Sequence, residues 1–395
     1  MDGLDRRRLL RLLAGVGVAG ATGGLAACSS TATPPSRSGV SIGLLVPATG
    51  ANKNVGADLE LGFRLYLDLH NGMLGGRQVQ VVVEDEGESV KAGADALGRL
   101  LDQHVLAVAG VANPDLLPAV RDKVEESKVP LLATHATPSG MPSSNFIWRT
   151  AFLGDEPARA IASYLRRRMG GSRISLIGVG GNTTNELMST FQSVYGTGSQ
   201  NPITVRAGIK PTTAEFAQYA SQIANQNPRA IFLNLPSTHI VAFKQALAAQ
   251  RSSLAAVPMY APGTVSEGVA LEALGTGGRG LYTAMQYSAD LNNLANHDFS
   301  SQFQAKYQRT PTAYVVAAYD AAAVLDQALT LAGDDTVTPP RVNSLLSSVG
   351  QVISPRGNWQ FNQNRSPQQK WYLRRVENDG PVPSNVLISD LATLG

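Results

Sequence analysis

The run Val105–Pro138, VLAVAGVANPDLLPAVRDKVEESKVPLLATHATP, constrains the fold more than any other stretch of the chain. Its opening apolar segment, Val105–Ala109, is too short for a helix and is closed by Gly110, as in a buried strand of a parallel sheet. Asn113-Pro114-Asp115 has the composition of a helix start, with Asn as the cap and Pro in the first turn. Leu117, Val120 and Val124 then recur at helical spacing. Pro130 restarts an extended run, Leu131–Ala133, which spills into Thr134-His135-Ala136-Thr137. This is one β-α-β unit, and both of its strands end in polar loops. Open α/β sheets bind ligands outside the carboxyl ends of their strands. The same loops would also serve a purely structural unit.

The alternation extends in both directions. Val40–Val46 and Val79–Glu84 read as strands around a helix over Ala57–His70, and Asp85-Glu86-Gly87-Glu88-Ser89 caps a helix bearing Leu97 and Leu101. After Phe146–Arg149 the pattern restarts, with strands at Ile174–Val179, Ile203–Ile209, Ala230–Leu235, Pro258–Tyr260 and Gly280–Tyr287. A capping box, Thr212-x-x-Glu215, opens one of the intervening helices. Two successive sets of this kind predict two similarly built α/β lobes around parallel, Rossmann-like sheets. Further on, Phe299, Phe303 and Tyr307 share a helix face and Tyr314–Leu331 is a long Ala-rich helix. Val352–Phe361 and Trp371–Val376 flank a polar turn as a hairpin would.

The first residues are not part of that fold. DRRRLLRLLAGVGVAGATGGLAAC has a basic start, a short Gly- and Ala-diluted apolar stretch and small residues before a cysteine, the layout of an export signal over residues 1–27. Asp5–Arg11 resembles a twin-arginine motif. Leu25-Ala26-Ala27-Cys28 resembles a bacterial lipobox, whose cysteine is lipidated. Cys28 is the only cysteine, which excludes an internal disulfide and cysteine catalysis. Residues 28–39 then form a flexible polar tether. The expectation is a lipid anchor on the extracytoplasmic face of the cell membrane.

The leader also accounts for much of the net charge of +3, with Arg6, Arg7, Arg8 and Arg11 set against Asp2 and Asp5. The remainder is close to neutral, with no concentration of basic residues in the sequence, so no nucleic-acid partner is expected. Arg166-Arg167-Arg168 sits where positive charge suits a helix dipole. No Gly-x-Ser-x-Gly elbow, phosphate loop or His-Glu-x-x-His site occurs. Gly178-Val179-Gly180-Gly181 lacks the third glycine of a dinucleotide fingerprint. The five histidines show no ligand spacing, so neither a metal nor a cofactor is expected. What the strand-end loops do carry is Asn113, Thr134, Thr137, Asn182, Thr183, Thr184, Ser237, Thr238 and Thr264. Such hydroxyls and amides orient a small polar ligand, and no nucleophile or strong base accompanies them. Binding is favoured over catalysis; a hydrolase would need a cleft nucleophile that the sequence does not display.

From Val40 onward the chain resembles the type I periplasmic solute-binding proteins of branched-chain amino acid ABC transporters. The resemblance rests on the order and spacing of Ile42-Gly43, Thr49-Gly50, Asn71 with Gly75-Gly76, Glu84-Asp85, Ala136-Thr137-Pro138, Arg149-Thr150, Phe216 with Tyr219, Tyr319-Asp320-Ala321 and Gly357. It implies two lobes joined by three crossovers: lobe one at 40–150 plus 285–352, lobe two at 151–284 plus 353–395. It also implies a ligand held in the cleft, an ABC permease as membrane partner and a monomer. The contacts it suggests are Asn113, Thr134, His135, Ala136, Thr137, Thr183, Ser237, Gly263 and Thr264. The family's acidic partner for a ligand ammonium is missing near Gly263, with Glu267 and Glu186 as substitutes close in sequence. The ligand is therefore an amino acid or a related amide or polar compound. A sensor of the same fold, acting on a membrane partner, is the alternative reading.

Overall fold

The computed structural model describes residues 37–395. The leader, Cys28 and the tether up to residue 36 lie outside the described residues. Arg37–Gly39, assigned to the tether from sequence, instead open the first strand, β1 (Arg37–Val46). It is followed by α1 (Lys53–Leu69), β2 (Met73–Leu74), β3 (Arg77–Asp85), α2 (Val90–Asp102), β4 (Ala107–Gly110), α3 (Leu116–Ser127), β5 (Leu131–Ala133) and β6 (Ile147–Arg149). These strands form one sheet in the order β2-β3-β1-β4-β5-β6, parallel except for β2 with β3. Helices cover it by burying single stripes, Leu97 and Leu100 on α2 and Leu117, Val120 and Val124 on α3.

The chain then builds a second sheet. Its elements are α4 (Glu156–Met169), β7 (Ile174–Val179), α5 (Asn182–Tyr195), β8 (Ile203–Val205), α6 (Thr213–Gln226), β9 (Ala230–Asn234), α7 (Ser237–Gln250), β10 (Met259–Pro262), α8 (Val269–Leu274) and β11 (Tyr282–Met285). Three helices follow, α9 (Leu294–Tyr307), α10 (Ala313–Leu331) and α11 (Pro339–Leu346), before β12 (Gln360–Phe361), β13 (Pro367–Asp379) and β14 (Val382–Leu394). The second sheet runs β12-β13-β11-β10-β9-β7-β8, with β14 on β13. Helix α10 returns to the first sheet and packs on α1. The approach is backbone to backbone, since a Cβ on Gly62 would lie 2.0 Å from the Val315 carbonyl oxygen. Only glycine fits there.

Several local expectations are corrected. The strand expected over Ile203–Ile209 ends at Val205, because Gly208 takes φ +74° and turns the chain outward. The hairpin expected between Val352–Phe361 and Trp371–Val376 is present in shortened form, β12 pairing antiparallel with the start of β13 at Gln360–Gln368 and Phe361–Pro367; beyond it, β13 turns at Gly380, φ +60°, into a second antiparallel ladder with β14. Two register shifts in that ladder break the period-2 pattern that would have exposed β14 in the sequence. Asn113 is not a helix cap: its side-chain oxygen accepts from the Asp115 N–H at 3.0 Å, and α3 starts only at Leu116. Of the acidic run, Ser89 alone caps α2, accepting from the Ala92 N–H; the carboxylates hold neighbouring loops. Among the described residues no helix is long and apolar enough to cross a membrane.

Candidate functional site

The carboxyl ends of the strands of both sheets meet around a cavity of about 550 Å³. The first sheet contributes the loop after β4 and the loop after β5. The second contributes the start of α5, Asn234 at the end of β9, and Pro262 and Thr264 at and just after the end of β10. Six prolines line it (Pro114, Pro118, Pro138, Pro142, Pro157 and Pro262), together with Val55, Met141, Phe152 and Leu187. Prolines fix the local backbone of the walls and remove N–H donors, so the cavity is mostly apolar with a few polar groups.

Each loop is held by a specific tether. Gly110 takes φ +128° and passes so close to β1 that a Cβ would lie 2.1 Å from the Leu45 carbonyl oxygen. Val111 follows with φ +68°, an unusual conformation for a β-branched residue. The buried Glu86 carboxylate compensates by accepting from the N–H groups of Ala112 and Asn113 at 2.8 and 2.7 Å. Burial raises the pKa of Glu86 and these two donors oppose the shift. Thr137 is zipped to the crossover strand: its N–H donates to the Phe152 carbonyl and its own carbonyl accepts from Gly154. At the far wall, Glu186 of α5 accepts from the Ser139 N–H at 2.7 Å. That bond joins the second sheet's helix to the first sheet's loop.

The ionisable groups at the cavity are Asp115, His135 and Glu186, and no lysine or arginine lines it. His135 packs against Tyr314, ring centroids 5.2 Å apart, with Nδ1 buried. Removal from water pulls its pKa down to about 4, so the ring is neutral. Asn234 donates to the Thr184 hydroxyl at 2.8 Å, which leaves its amide oxygen as the atom available to a ligand. Behind the crossover, Glu156 is buried and accepts from the Leu153 N–H at 3.1 Å; burial pushes its pKa up to about 8.

Of the residues singled out from sequence, His135, Ala136, Thr137, Thr183 and Thr264 line this cavity. The other four do not. Thr134 is buried beneath the loop, and Asn113 borders a separate small pocket with Glu86 and Glu88. The Ser237 hydroxyl donates to the Val265 carbonyl at 2.8 Å. A Cβ on Gly263 would lie 2.7 Å from that of Met285, so Gly263 is a packing glycine. Glu267, offered as a substitute acid, is consumed elsewhere: it pairs with buried Arg374 and accepts from the Ala313 N–H at the start of α10. Glu186 does reach the cavity.

This arrangement, two parallel sheets of like build facing each other across a cleft, invites comparison with known proteins. A family model described as periplasmic binding protein matches residues 39–381. The chain belongs to the periplasmic binding protein family. Among its relatives, a Leu/Ile/Val-binding protein homolog 6 from Brucella suis biovar 1 is 23% identical over 348 residues, covering 85% of this chain and 87% of its own. An ABC transporter substrate-binding protein from Sphaerobacter thermophilus superposes with a TM-score of 0.80 at 22% identity, over 90% of this chain and 99% of that one. A solute-binding protein from R. palustris, solved with benzoate, gives a TM-score of 0.76 at 22% identity, over 90% and 97%. The fold of this periplasmic binding protein is thus the type I architecture expected from the sequence, and its relatives are solute-binding proteins rather than enzymes.

The sequence alone did not reveal Val55, Asp115, Phe152 or Asn234 as cavity residues. Asn234 carried a usable signal, a polar residue ending an apolar strand. Val55 and Phe152 carried none, since an apolar residue at a helix start or a strand exit reads as core.

Proposed function

We propose that this protein is a lipid-anchored extracytoplasmic receptor that captures a small amphipathic solute and delivers it to an ABC permease. The observation that carries this reading is the 550 Å³ cavity framed by strand ends of both sheets, a size suited to an amino acid or a small aromatic compound. Lobe one (40–150 plus 285–352) and lobe two (151–284 plus 353–395) close on the ligand. The apolar walls take an apolar body. Thr137, Thr183, Thr264 and the first N–H groups of α5 take a polar end. With Asp115 and Glu186 in the lining and no cation there, a zwitterionic amino acid or a neutral amide is favoured over a simple carboxylate such as benzoate, whose charge would lose water without gaining a counter-ion.

Thermal unfolding with leucine, isoleucine, their amides and benzoate tests this. A ligand at a hundred times its dissociation constant adds about 2.7 kcal/mol of stability. The reading expects the amino acid or the amide to shift the midpoint and expects Ala136→Trp, which fills the cavity, to abolish the shift. A shift that survives this substitution, or no shift with any of these compounds, would overturn the cavity assignment.

A further inference from the structure

The amino ends of the second sheet's strands, opposite the cavity, bring together arginines that lie far apart in the sequence. Arg173 precedes β7, Arg229 precedes β9 and Arg251 follows α7, and all three line one surface concavity of about 520 Å³. No carboxylate lines it. None of the three takes part in an ion pair among the described residues. Two are held by backbone order: the Arg229 N–H donates to the Arg173 carbonyl at 2.8 Å, and Arg173 Nε donates to the Asn227 carbonyl at 3.3 Å. Arg251 ends α7 with its N–H bonded to the Leu247 carbonyl.

The surroundings reinforce the charge. An adjoining concavity shares Val257 with this one and is lined by Lys244, Arg279 and Arg375. Glu377 neutralises only the last two. Cationic side chains therefore outnumber acidic ones around these two hollows, in a molecule whose charges nearly balance as a whole. Three exposed arginines around one hollow raise the local positive potential, which an anion held among them lowers. Their planar forks match the oxygens of a phosphate, which brings more charge and more acceptor oxygens to several arginines at once than a single carboxylate does.

We propose that the concavity ringed by Arg173, Arg229 and Arg251 is a binding site for a phosphate group, carried either by a soluble phosphorylated compound or by a phospholipid headgroup. The site lies apart from the solute cavity and does not depend on what that cavity binds. In low salt the protein takes up inorganic pyrophosphate, followed by calorimetry, and Arg173→Gln/Arg229→Gln/Arg251→Gln weakens uptake by more than about tenfold. A control with the same change in charge, Arg64→Gln/Arg99→Gln/Arg121→Gln, removes arginines that are already paired and leaves uptake unchanged. Sedimentation with phosphatidylglycerol or phosphatidylcholine vesicles separates the sources. Retention on the former alone, competed by pyrophosphate and lost in the triple variant, assigns the headgroup. Pyrophosphate uptake without vesicle retention assigns a soluble phosphate. Equal losses in cluster and control variants, no uptake by the native protein, or retention only of an oligonucleotide would overturn the proposal.

Discussion

Glu186 does two things at once: one carboxylate oxygen accepts from Ser139, and the side chain supplies negative charge to a cavity without cations. Glu186→Gln keeps the shape and removes the charge. It is expected to weaken an amine-bearing ligand by about tenfold or more, while a neutral amide loses little, as calorimetry on matched ligands will show. Two other groups, the half-buried His135 and the buried Glu156, give stability opposite dependences on pH. His135 is held neutral with a pKa of about 4 against 6.5 for the free side chain, so the stability present above 6.5 is lost as pH falls from there toward 4. Glu156 keeps its proton up to about 8 against 4.5, so stability present at low pH is lost as pH rises from 4.5 toward 8. Glu156→Gln should therefore unfold at a higher temperature than the native protein above pH 8, with the gain vanishing near pH 4. Equal midpoints across that range would show that Glu156 is not protonated in the fold.

The elements around the site are fixed by buried charges that reach across the chain. Glu86 after β3 secures the loop after β4 through two N–H groups; Glu86→Ala leaves both unsatisfied and should cost about 1–3 kcal/mol in denaturant unfolding. Asp320 in α10 accepts from Ser354 at 2.9 Å and Trp359 at 3.0 Å and pairs with Arg356 at 2.9 Å, all fully buried. Asp320→Ala strands the guanidinium and should cost about 3–5 kcal/mol. These ties explain how much could be read beforehand. Strands and helices were legible because Val40–Val46 or Leu117-Val120-Val124 announce themselves by period. That Glu86 would bond to Asn113, or that Asn113 would spend its side chain on Asp115, was not. Both depend on Val111 taking a left-handed turn, which its β-branched side chain argues against. Ser237 and Gly263 were visible as strand-end residues, but chain direction alone did not show which side of the turn each would face. The three arginines of the phosphate site, well apart in sequence, become neighbours only through the strand order β10-β9-β7.

At the scale of the whole molecule, two α/β bodies share one chain that passes from the first sheet after β6, returns to it through α9–α11 and ends in the β13–β14 ladder on the second. Both main-chain zippers at Thr137 and the Glu186–Ser139 bond cross the same gap. Parting the two sheets to widen the entrance to the cavity requires the Glu186–Ser139 bond to be released. Capture through that opening is expected to be a two-step event, with the rate of release setting the ceiling at high solute concentration. In a stopped-flow experiment the observed rate should level off as solute concentration rises, and Glu186→Ala should raise that plateau. A side chain placed for its charge would, on this account, also set how long the protein takes to fill after solute appears around it.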